Sequence, residues 1–255
     1  MSVFAAYSRY YDLLYRDKDY AGEAHYVASL IKRHAAGGTR VVEIGCGTGG
    51  HARELAALGF YVHGVDRSAG MLEAADAKLG AVEPEIRARM RFSQGDARSV
   101  RLGEKVDAVI SLFHVMSYQT SNADLMAAFA TAKAHLSPSG VFIFDCWYGP
   151  AVLVERPAVT VKRLEDVAVS ITRIAEPTMN SALNTVDVNY TVLVYDRKTA
   201  IVETLRETHR MRYLFRPEIE LLLEANGMSL VTAHEWMTEN APGPHTWAAC
   251  FIARG

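Results

Sequence analysis

The stretch "VVEIGCGTGG", residues 41–50, joins a short apolar run to a cluster of glycines. Gly45, Gly47 and Gly50 match the G-x-G-x-x-G spacing that follows the first strand of a dinucleotide-binding unit. Glycines there let the backbone approach a ligand closely, and the N-terminus of the helix that follows favours negative charge. The stretch therefore predicts a strand, a tight turn and a helix that together bind an adenosine-containing ligand. The spacing alone leaves the ligand open.

The alternation of strand and helix continues to about residue 146. Apolar runs without a polar face are typical of strands buried in a parallel sheet. Five such runs are "RVVEIG", "YVHGVD", "RMRFSQGD", "VDAVISLF" and "GVFIFDCW". Helical patterns separate the runs, at 51–58, 69–79 and 122–136. This alternation predicts the doubly wound α/β class.

The pattern changes after residue 150. Segments rich in Val, Thr and Tyr alternate apolar and polar residues without an intervening helix, which predicts an antiparallel meander of about four strands. A helix and two further strands then complete the chain. We predict an N-terminal helical lid at 1–36, a ligand-binding domain at 37–150 and 215–255, and an inserted antiparallel sheet at 151–214.

The overall composition excludes several classes of function. The chain has 255 residues, half of them hydrophobic, and a net charge of −2, so no basic surface is expected for nucleic acid or an acidic membrane. Cys46, Cys146 and Cys250 are far apart and lack Cys/His ligand spacing, which argues against disulfides and against a metal site. The first segment is charged from Arg9 onward, unlike a signal peptide, and no apolar run suits a membrane span. We expect a cytoplasmic protein that acts on a small molecule.

Three carboxylates near the glycine loop narrow the choice of ligand. Glu43 stands two residues before the first glycine, where it would repel the pyrophosphate of a dinucleotide. Asp66 ends the second strand, where a carboxylate accepts ribose hydroxyls, and Asp96 follows the third. The chain also lacks the second βαβαβ half of a nicotinamide site. These features favour S-adenosylmethionine, whose centre is cationic, over a dinucleotide.

The motif "VVEIGCGTG" resembles motif I of the class I S-adenosylmethionine-dependent methyltransferases, with Glu43, Gly45, Gly47 and Gly49 as its operative residues. Gly50 then falls outside the pattern. "GVDRSAGMLEAA" and "QGDAR" are similar to the ribose and adenine segments of that family, and "HLSPSGVFIF" to the lead into its fifth strand. The resemblance implies a Rossmann-like, doubly wound seven-stranded sheet of order 3-2-1-4-5-7-6, its last strand antiparallel.

The same resemblance implies which residues bind the cofactor. Asp66 would take the ribose hydroxyls, Arg67 and Met71 would lie near the adenine, and Asp96 with Ala97 would meet its edge. Tyr11 and Tyr20, in a tyrosine-rich N-terminal segment, would close over the methionine end as a lid. The remaining implied contacts are Glu43, Gly45, Cys46, Gly47, Thr48, Gly49, Ser111, Leu112 and Phe113.

The acceptor of the methyl group should bind beyond the C-terminal ends of the fourth and fifth strands. Catalytic candidates there are Asp145, which can bind an amine, and His114 and Tyr118, as bases or positioning groups. His209 in the insertion is a fourth, on the strand face opposite Arg210. Candidate acceptor-binding residues are Tyr7, Trp147, Tyr148 and Arg210.

The lid, the segment "FDCWY", the inserted sheet and "ETHRMRYLF" together resemble the nucleotide-linked amino-sugar N-methyltransferases. In that family a carboxylate, usually Glu, occupies the position of Asp145, and the extra sheet helps to form a homodimer. The family has a histidine at the position of Tyr118, so the resemblance leaves the base open. A sugar O-methyltransferase, a small-amine (glycine-like) N-methyltransferase and a non-catalytic cofactor-binding protein remain alternatives.

Overall fold

The computed structural model describes residues 8–35 and 37–255. Within these ranges the helices are α1 (Ser8–Leu14), α2 (Tyr20–His34), α3 (Gly50–Ala57), α4 (Ala69–Leu79), α5 (Pro84–Arg87), α6 (Asn122–His135), α7 (Gly149–Val154) and α8 (Arg216–Ala225). The strands are β1 (Arg40–Ile44), β2 (Tyr61–Asp66), β3 (Met90–Gln94), β4 (Val106–Ser111), β5 (Leu136–Trp147), β6 (Thr160–Glu165), β7 (Val169–Asn180), β8 (Thr185–Asp196), β9 (Val202–Arg212), β10 (Ser229–Glu235) and β11 (Ala248–Arg254). A 3-10 helix, Val115–Tyr118, follows β4. None of the described helices combines the length and the apolar character that a membrane crossing requires.

Seven strands form the central sheet, in the order β3-β2-β1-β4-β5-β11-β10. Strands β1 to β5 are parallel, and β11 runs antiparallel to both β5 and β10. Numbered within this sheet alone, the order is 3-2-1-4-5-7-6, as the family resemblance implied. One apolar core lies on each face, so the strands are buried on both sides and their carboxyl ends form one edge.

Local sequence signals fix most of the helix ends. Ser121 accepts a hydrogen bond from the Asp124 backbone N–H at 3.0 Å and so caps α6. Asp19 caps α2 in the same way through the Gly22 N–H, at 2.8 Å. Pro217 lies in the first turn of α8, as its fixed φ favours.

The two helices of the predicted N-terminal lid pack against different parts of the protein. Helix α2 packs its apolar face, which includes Val27, Leu30 and Ile31, into the core of the central sheet. Helix α1 instead buries Leu14 against Ile171 and Val192 of the inserted strands. In the described part of this region, α1, the turn that follows it and Tyr20 at the start of α2 therefore border the cavity described below, whereas the rest of α2 is part of the core.

The inserted strands form a separate antiparallel sheet, in the order β6-β7-β8-β9. The four strands and their connecting turns agree with the predicted meander. Its inner face packs on α1 and on the end of β5, and includes the buried residues Val188 and Met211. Its outer face carries apolar side chains as well, namely Val161, Ile174, Leu193, Tyr195 and Val202.

Candidate active site

A cavity of about 500 Å³ opens at the carboxyl ends of the parallel strands and is covered by α1 and the inner face of the inserted sheet. Its position is the one where open α/β sheets bind ligands, and its volume is that of a small-molecule site. Most of the predicted site residues line it: Tyr11, Tyr20, Gly45, Cys46, Gly47, Thr48, Asp66, Arg67, Met71, Asp96, Ala97, Leu112, Phe113, His114, Tyr118, Trp147, His209 and Arg210.

The remaining predicted residues lie elsewhere. Glu43 and Asp145 are each 1% exposed and lie behind the wall, and Gly49 lies against the Phe92 ring. Tyr148 packs against the core of the central sheet beside Phe251, because adjacent residues of an extended segment point to opposite faces. Tyr7 lies outside the described residues.

The glycine loop and Asp66 form one hydrogen-bonded unit. Asp66 accepts the Gly47 N–H at 2.8 Å through Oδ2 and the Ser68 N–H at 2.8 Å through Oδ1. Gly47 has a φ of 55°, the left-handed region that favours glycine, and an added Cβ there would meet no atom within 4 Å. Burial raises the pKa of Asp66, although the backbone hydrogen bonds oppose the shift. The loop is thus held open toward the cavity with a carboxylate at its centre.

Asp96 is paired with a residue that the sequence analysis did not single out. Arg98 donates to both oxygens of Asp96, at 2.8 and 2.6 Å, and donates to Asp124 at 2.8 Å. The hydrogen bonds from Arg98 lower the pKa of Asp96 to about 2. Asp96 therefore stays ionised and fixed in position at the rim of the cavity.

A buried charge network ties the N-terminal helices to the glycine loop. The His51 ring lies between two carboxylates, with Nε2 2.7 Å from Glu23 Oε2 and Nδ1 3.4 Å from Glu43 Oε1. Lys18 pairs with the other oxygen of Glu23, and its ammonium lies 4.3 Å from the centre of the Phe113 ring. Burial lowers the pKa of His51, but the hydrogen bonds to Glu23 and Glu43 outweigh it and leave that pKa raised.

Gly50, which the family pattern left out, has a structural role. It begins α3, and a Cβ at this position would lie 2.5 Å from the ring of Tyr20. The ring of Tyr20 in turn meets His51 edge to face at 4.9 Å. Gly50 therefore allows the start of α2 to approach the glycine loop closely, a packing role that is separate from the ligand-binding pattern.

His114 separates Asp145 from the cavity. The His114 backbone N–H lies 3.2 Å from both carboxylate oxygens of Asp145. The ring Nδ1 is 2.7 Å from Oδ2, a charge contact without the alignment of a hydrogen bond. Phe113 and His114 both have left-handed backbone, with φ of 62° and 64°, which is uncommon for non-glycine residues and recurs at functional sites. His114 therefore lies between Asp145 and the cavity.

The opposite wall is formed by Tyr118 and the inserted sheet. The Tyr118 hydroxyl lies 2.8 Å from Nδ1 of His209, although the two residues are 91 positions apart. Trp147 meets the His114 ring at 6.4 Å and extends the aromatic wall. Arg210 borders the cavity, but Asp187 holds its guanidinium with two hydrogen bonds, at 2.6 and 2.7 Å.

Comparison with known proteins decides the type of site. Residues 41–140 match the family described as "Methyltransferase domain". The chain is 29% identical, over 86% of its length and 82% of the relative's, to a dTDP-3-amino-3,6-dideoxy-alpha-D-glucopyranose N,N-dimethyltransferase from Streptomyces fradiae. The chain is an S-adenosylmethionine-dependent methyltransferase.

Two solved structures share the architecture of this methyltransferase over nearly its whole length. DesVI from Streptomyces venezuelae has a TM-score of 0.79 and 26% identity, with 97% of this chain and 98% of that one covered. CalS10, an amino pentose methyltransferase from Micromonospora echinaspora solved with S-adenosylmethionine bound, has a TM-score of 0.75 and 25% identity, with 100% and 98% covered. Both alignments include the inserted sheet, so this sheet is part of the shared architecture.

The residues of the methyltransferase fit S-adenosylmethionine. Glu43 is 1% exposed, and its Oε2 has no hydrogen-bond partner in the part of the chain that the structure describes. A buried carboxylate oxygen without a partner is costly, which suits a cationic ligand above the glycine loop. The cavity volume, about 500 Å³, is within the range of small-molecule sites.

Several residues of the methyltransferase site were missed by the sequence analysis. Glu207 lies on the same face of β9 as His209, two positions away, so strand periodicity would have found it. Arg98 likewise follows Asp96 by two positions. Lys18, Glu23 and His51 had no signal, because ordinary helix patterns place charged residues at such positions and only packing of the helices brings them together.

Proposed function

We propose that this methyltransferase transfers a methyl group to the amine of a nucleotide-linked amino sugar. The full-length similarity to an amino-sugar N,N-dimethyltransferase supports this acceptor class. The observation that carries the proposal is the buried Asp145 carboxylate behind His114 at the cavity wall. A carboxylate at this position favours an acceptor with a basic nitrogen over one with a neutral hydroxyl. The aromatic wall suits the apolar face of a deoxysugar.

On the cofactor side, we propose that Asp66 binds the ribose hydroxyls and that Asp96 and Ala97 meet the adenine edge. Arg67 and Met71 would line the adenine, and the loop of Gly45, Cys46, Gly47, Thr48 and Gly49 would follow the ribose and the methionine moiety. Glu43, which is buried behind the wall of the cavity, would favour the cationic end through its charge rather than through a contact. Tyr11 and Tyr20 would close the site from the N-terminal side.

S-adenosylmethionine supplies an electrophilic methyl group on a good leaving group. The protein therefore has to exclude water, align the acceptor nitrogen and leave that nitrogen with a free lone pair. His114, held by Asp145, would orient the amine against the wall that includes Trp147. Tyr118 and His209 would face the amine from the other side, where its proton has to leave.

We further propose that the ligand-binding domain, 37–150 and 215–255, and the inserted sheet, 151–214, have the boundaries expected from the sequence. The lid is shorter than expected and consists of α1 and the turn that follows it. A homodimer through the inserted sheet is supported by the apolar outer face that Val161, Ile174, Leu193, Tyr195 and Val202 form. The three cysteines are free and buried, which suits a reducing compartment such as the cytoplasm.

A panel of nucleotide sugars tests the proposed acceptor. The purified protein is incubated with S-adenosylmethionine and with pairs of dTDP-deoxysugars that differ only in an amine or a hydroxyl at one ring position. We expect a mass gain of one or two methyl groups on the amino member of a pair alone. A mass gain confined to hydroxyl members would contradict the amine proposal, and cofactor binding without turnover on the whole panel would support a non-catalytic protein.

A further inference from the structure

Three polar side chains lead from the cavity wall to the edge of the inserted sheet. The Tyr118 hydroxyl lies 2.8 Å from His209 Nδ1, and His209 Nε2 lies 3.2 Å from Glu207 Oε2. Tyr118 and His209 both line the cavity. The side chain of His209 is 4% exposed and that of Glu207 is 13% exposed, so the chain of contacts runs from a shielded wall to a carboxylate that reaches solvent.

We propose that Tyr118, His209 and Glu207 form a proton relay that removes the proton of the acceptor amine. This inference rests on the proposed function, and it adds Glu207 and a direction of transfer to it. The amine N–H donates to the Tyr118 oxygen. The tyrosine O–H donates to His209 Nδ1, and the His209 Nε2–H donates to Glu207.

The transfer balances within these groups. As the ammonium form of the acceptor loses a proton to the Tyr118 oxygen, the tyrosine proton moves to Nδ1 of His209, and the acceptor nitrogen is left neutral with a free lone pair. Tyr118 therefore stays neutral and the imidazole becomes an imidazolium. Glu207 stabilises that cation, in the same way that a buried carboxylate stabilises the imidazolium of a hydrolase triad. The imidazolium then loses its Nε2 proton toward Glu207 and water, which leaves His209 with its proton on Nδ1. Exchange with water after product release removes the Nδ1 proton and returns a proton to Nε2, which restores the starting tautomer.

His114 is less suited to this role. Its Nδ1 faces Asp145, which is 1% exposed, so a proton taken up there has no exposed carboxylate to leave by. His114 and Asp145 therefore orient the amine, and the relay on the opposite wall accepts its proton.

The other groups that face His209 do not compete for the proton. The Tyr190 ring of β8 meets the imidazole edge to face at 4.9 Å, and Arg173 of β7 lies over the Tyr190 ring. Burial raises the pKa of Tyr190 to about 12. Burial, with Tyr20 and Tyr15 nearby, also raises the pKa of Tyr11 of α1 well above its usual value. Both hydroxyls stay neutral at the pH of an assay.

Steady-state kinetics on three variants test the relay. Tyr118→Phe and His209→Gln should each lower kcat roughly 10²-fold, the usual contribution of a positioned base, and leave KM for the amino sugar nearly unchanged. Glu207→Gln should lower kcat less and move the acidic limb of the pH profile to lower pH, because the imidazolium loses its stabilising charge. Glu203→Gln, on the same face of β9, and Tyr61→Phe, at the exposed start of β2, are matched controls. Unchanged kcat and an unchanged pH profile in Glu207→Gln and Tyr118→Phe would overturn the relay.

Nuclear magnetic resonance of the imidazole nitrogens gives a readout that does not depend on turnover. The relay requires the His209 tautomer with its proton on Nε2, and Tyr118→Phe should shift the Nδ1 resonance. A proton on Nδ1 in the wild-type protein would reverse the Tyr118–His209 bond and overturn the proposal. A wild-type protein that methylates no amino sugar would instead refute the proposed acceptor, so the two failures are distinguishable.

Discussion

Replacement of His51 by asparagine removes the cation at the centre of the buried charge network. The His51 side chain is 6% exposed, and the two carboxylates that flank it, Glu23 and Glu43, are 12% and 1% exposed. Removing one partner of a buried pair typically costs about 3–5 kcal/mol, because the other charge stays buried without compensation. Asparagine can still donate to one carboxylate, so we expect a loss near 3 kcal/mol. For a domain of this size such a loss lowers Tm by roughly 6–12 °C.

The loss of Tm in His51→Asn should depend on pH in a defined direction. The raised pKa of His51 means that its stabilising contribution is fully present below the unfolded-state pKa and is lost as pH rises through the folded-state value. Burial raises the pKa of Glu23, but hydrogen bonds from His51 and Lys18 outweigh it and lower that pKa, so its contribution is lost as pH falls through the lowered value. The Tm difference between wild type and His51→Asn should therefore be largest at pH values between the lowered pKa of Glu23 and the raised pKa of His51. It should be smaller at pH values below or above that range.

Thermal unfolding followed by circular dichroism measures this difference across a pH series. His25→Asn is the matched control, because His25 lies exposed on α2 and its ring Nδ1 lies 2.8 Å from the Ala21 carbonyl oxygen of the same helix. We expect this control to change Tm by little. Equal Tm values for the two variants would show that His51 does not stabilise the buried carboxylates. A Tm difference between wild type and His51→Asn that widens steadily with pH would contradict the raised pKa of His51.

Three further substitutions separate the parts of the site. Asp66→Ala should weaken S-adenosylmethionine binding by about 10²-fold, because hydrogen bonds to a charged group contribute about 1.5–3 kcal/mol each. Unchanged affinity by calorimetry would show that Asp66 does not bind the ribose. Asp145→Asn should leave cofactor affinity unchanged and lower kcat by about 10-fold or more, because His114 loses its charge partner; wild-type turnover would exclude Asp145 from the acceptor side. Gly50→Ala should destabilise the protein by about 1–3 kcal/mol, because the added Cβ would overlap the Tyr20 ring. Gly80→Ala is the control, because no atom lies within 4 Å of a Cβ there. Equal denaturation midpoints would show that the Tyr20 ring moves aside without loss of stability.

Much of the fold could be predicted from local pattern. The strands of the central sheet are apolar on both faces, and residues such as Ser121 and Pro217 mark helix starts through backbone chemistry that acts over a few positions. The strand order followed from the family resemblance rather than from composition. The four inserted strands were predictable because alternation at a period of two is also a local signal.

The site was predictable only where its residues are close in sequence. Gly45, Gly47 and Asp66 belong to one β1–α3–β2 unit, in which two adjacent parallel strands end at the same edge, so their spacing already places them together. The contact between Tyr118 and His209 joins the 3-10 helix to the inserted sheet, and the contact between Glu23 and His51 joins two helices. Neither leaves a periodic trace in the sequence. Tyr148 was predicted to bind the acceptor because, like Trp147, it lies at the carboxyl end of the fifth strand, although adjacent residues of a strand face opposite sides.

A crystal structure with S-adenosylhomocysteine and a dTDP-amino sugar tests the central claim most directly. We expect the adenosyl ribose hydroxyls to lie within hydrogen-bond distance of Asp66. We also expect the sugar amine to lie in the cavity between His114 and the Tyr118 hydroxyl, within hydrogen-bond distance of the latter. A complex in which the ribose lies away from Asp66, or in which the amino group points away from Tyr118 and His114, would contradict these expectations.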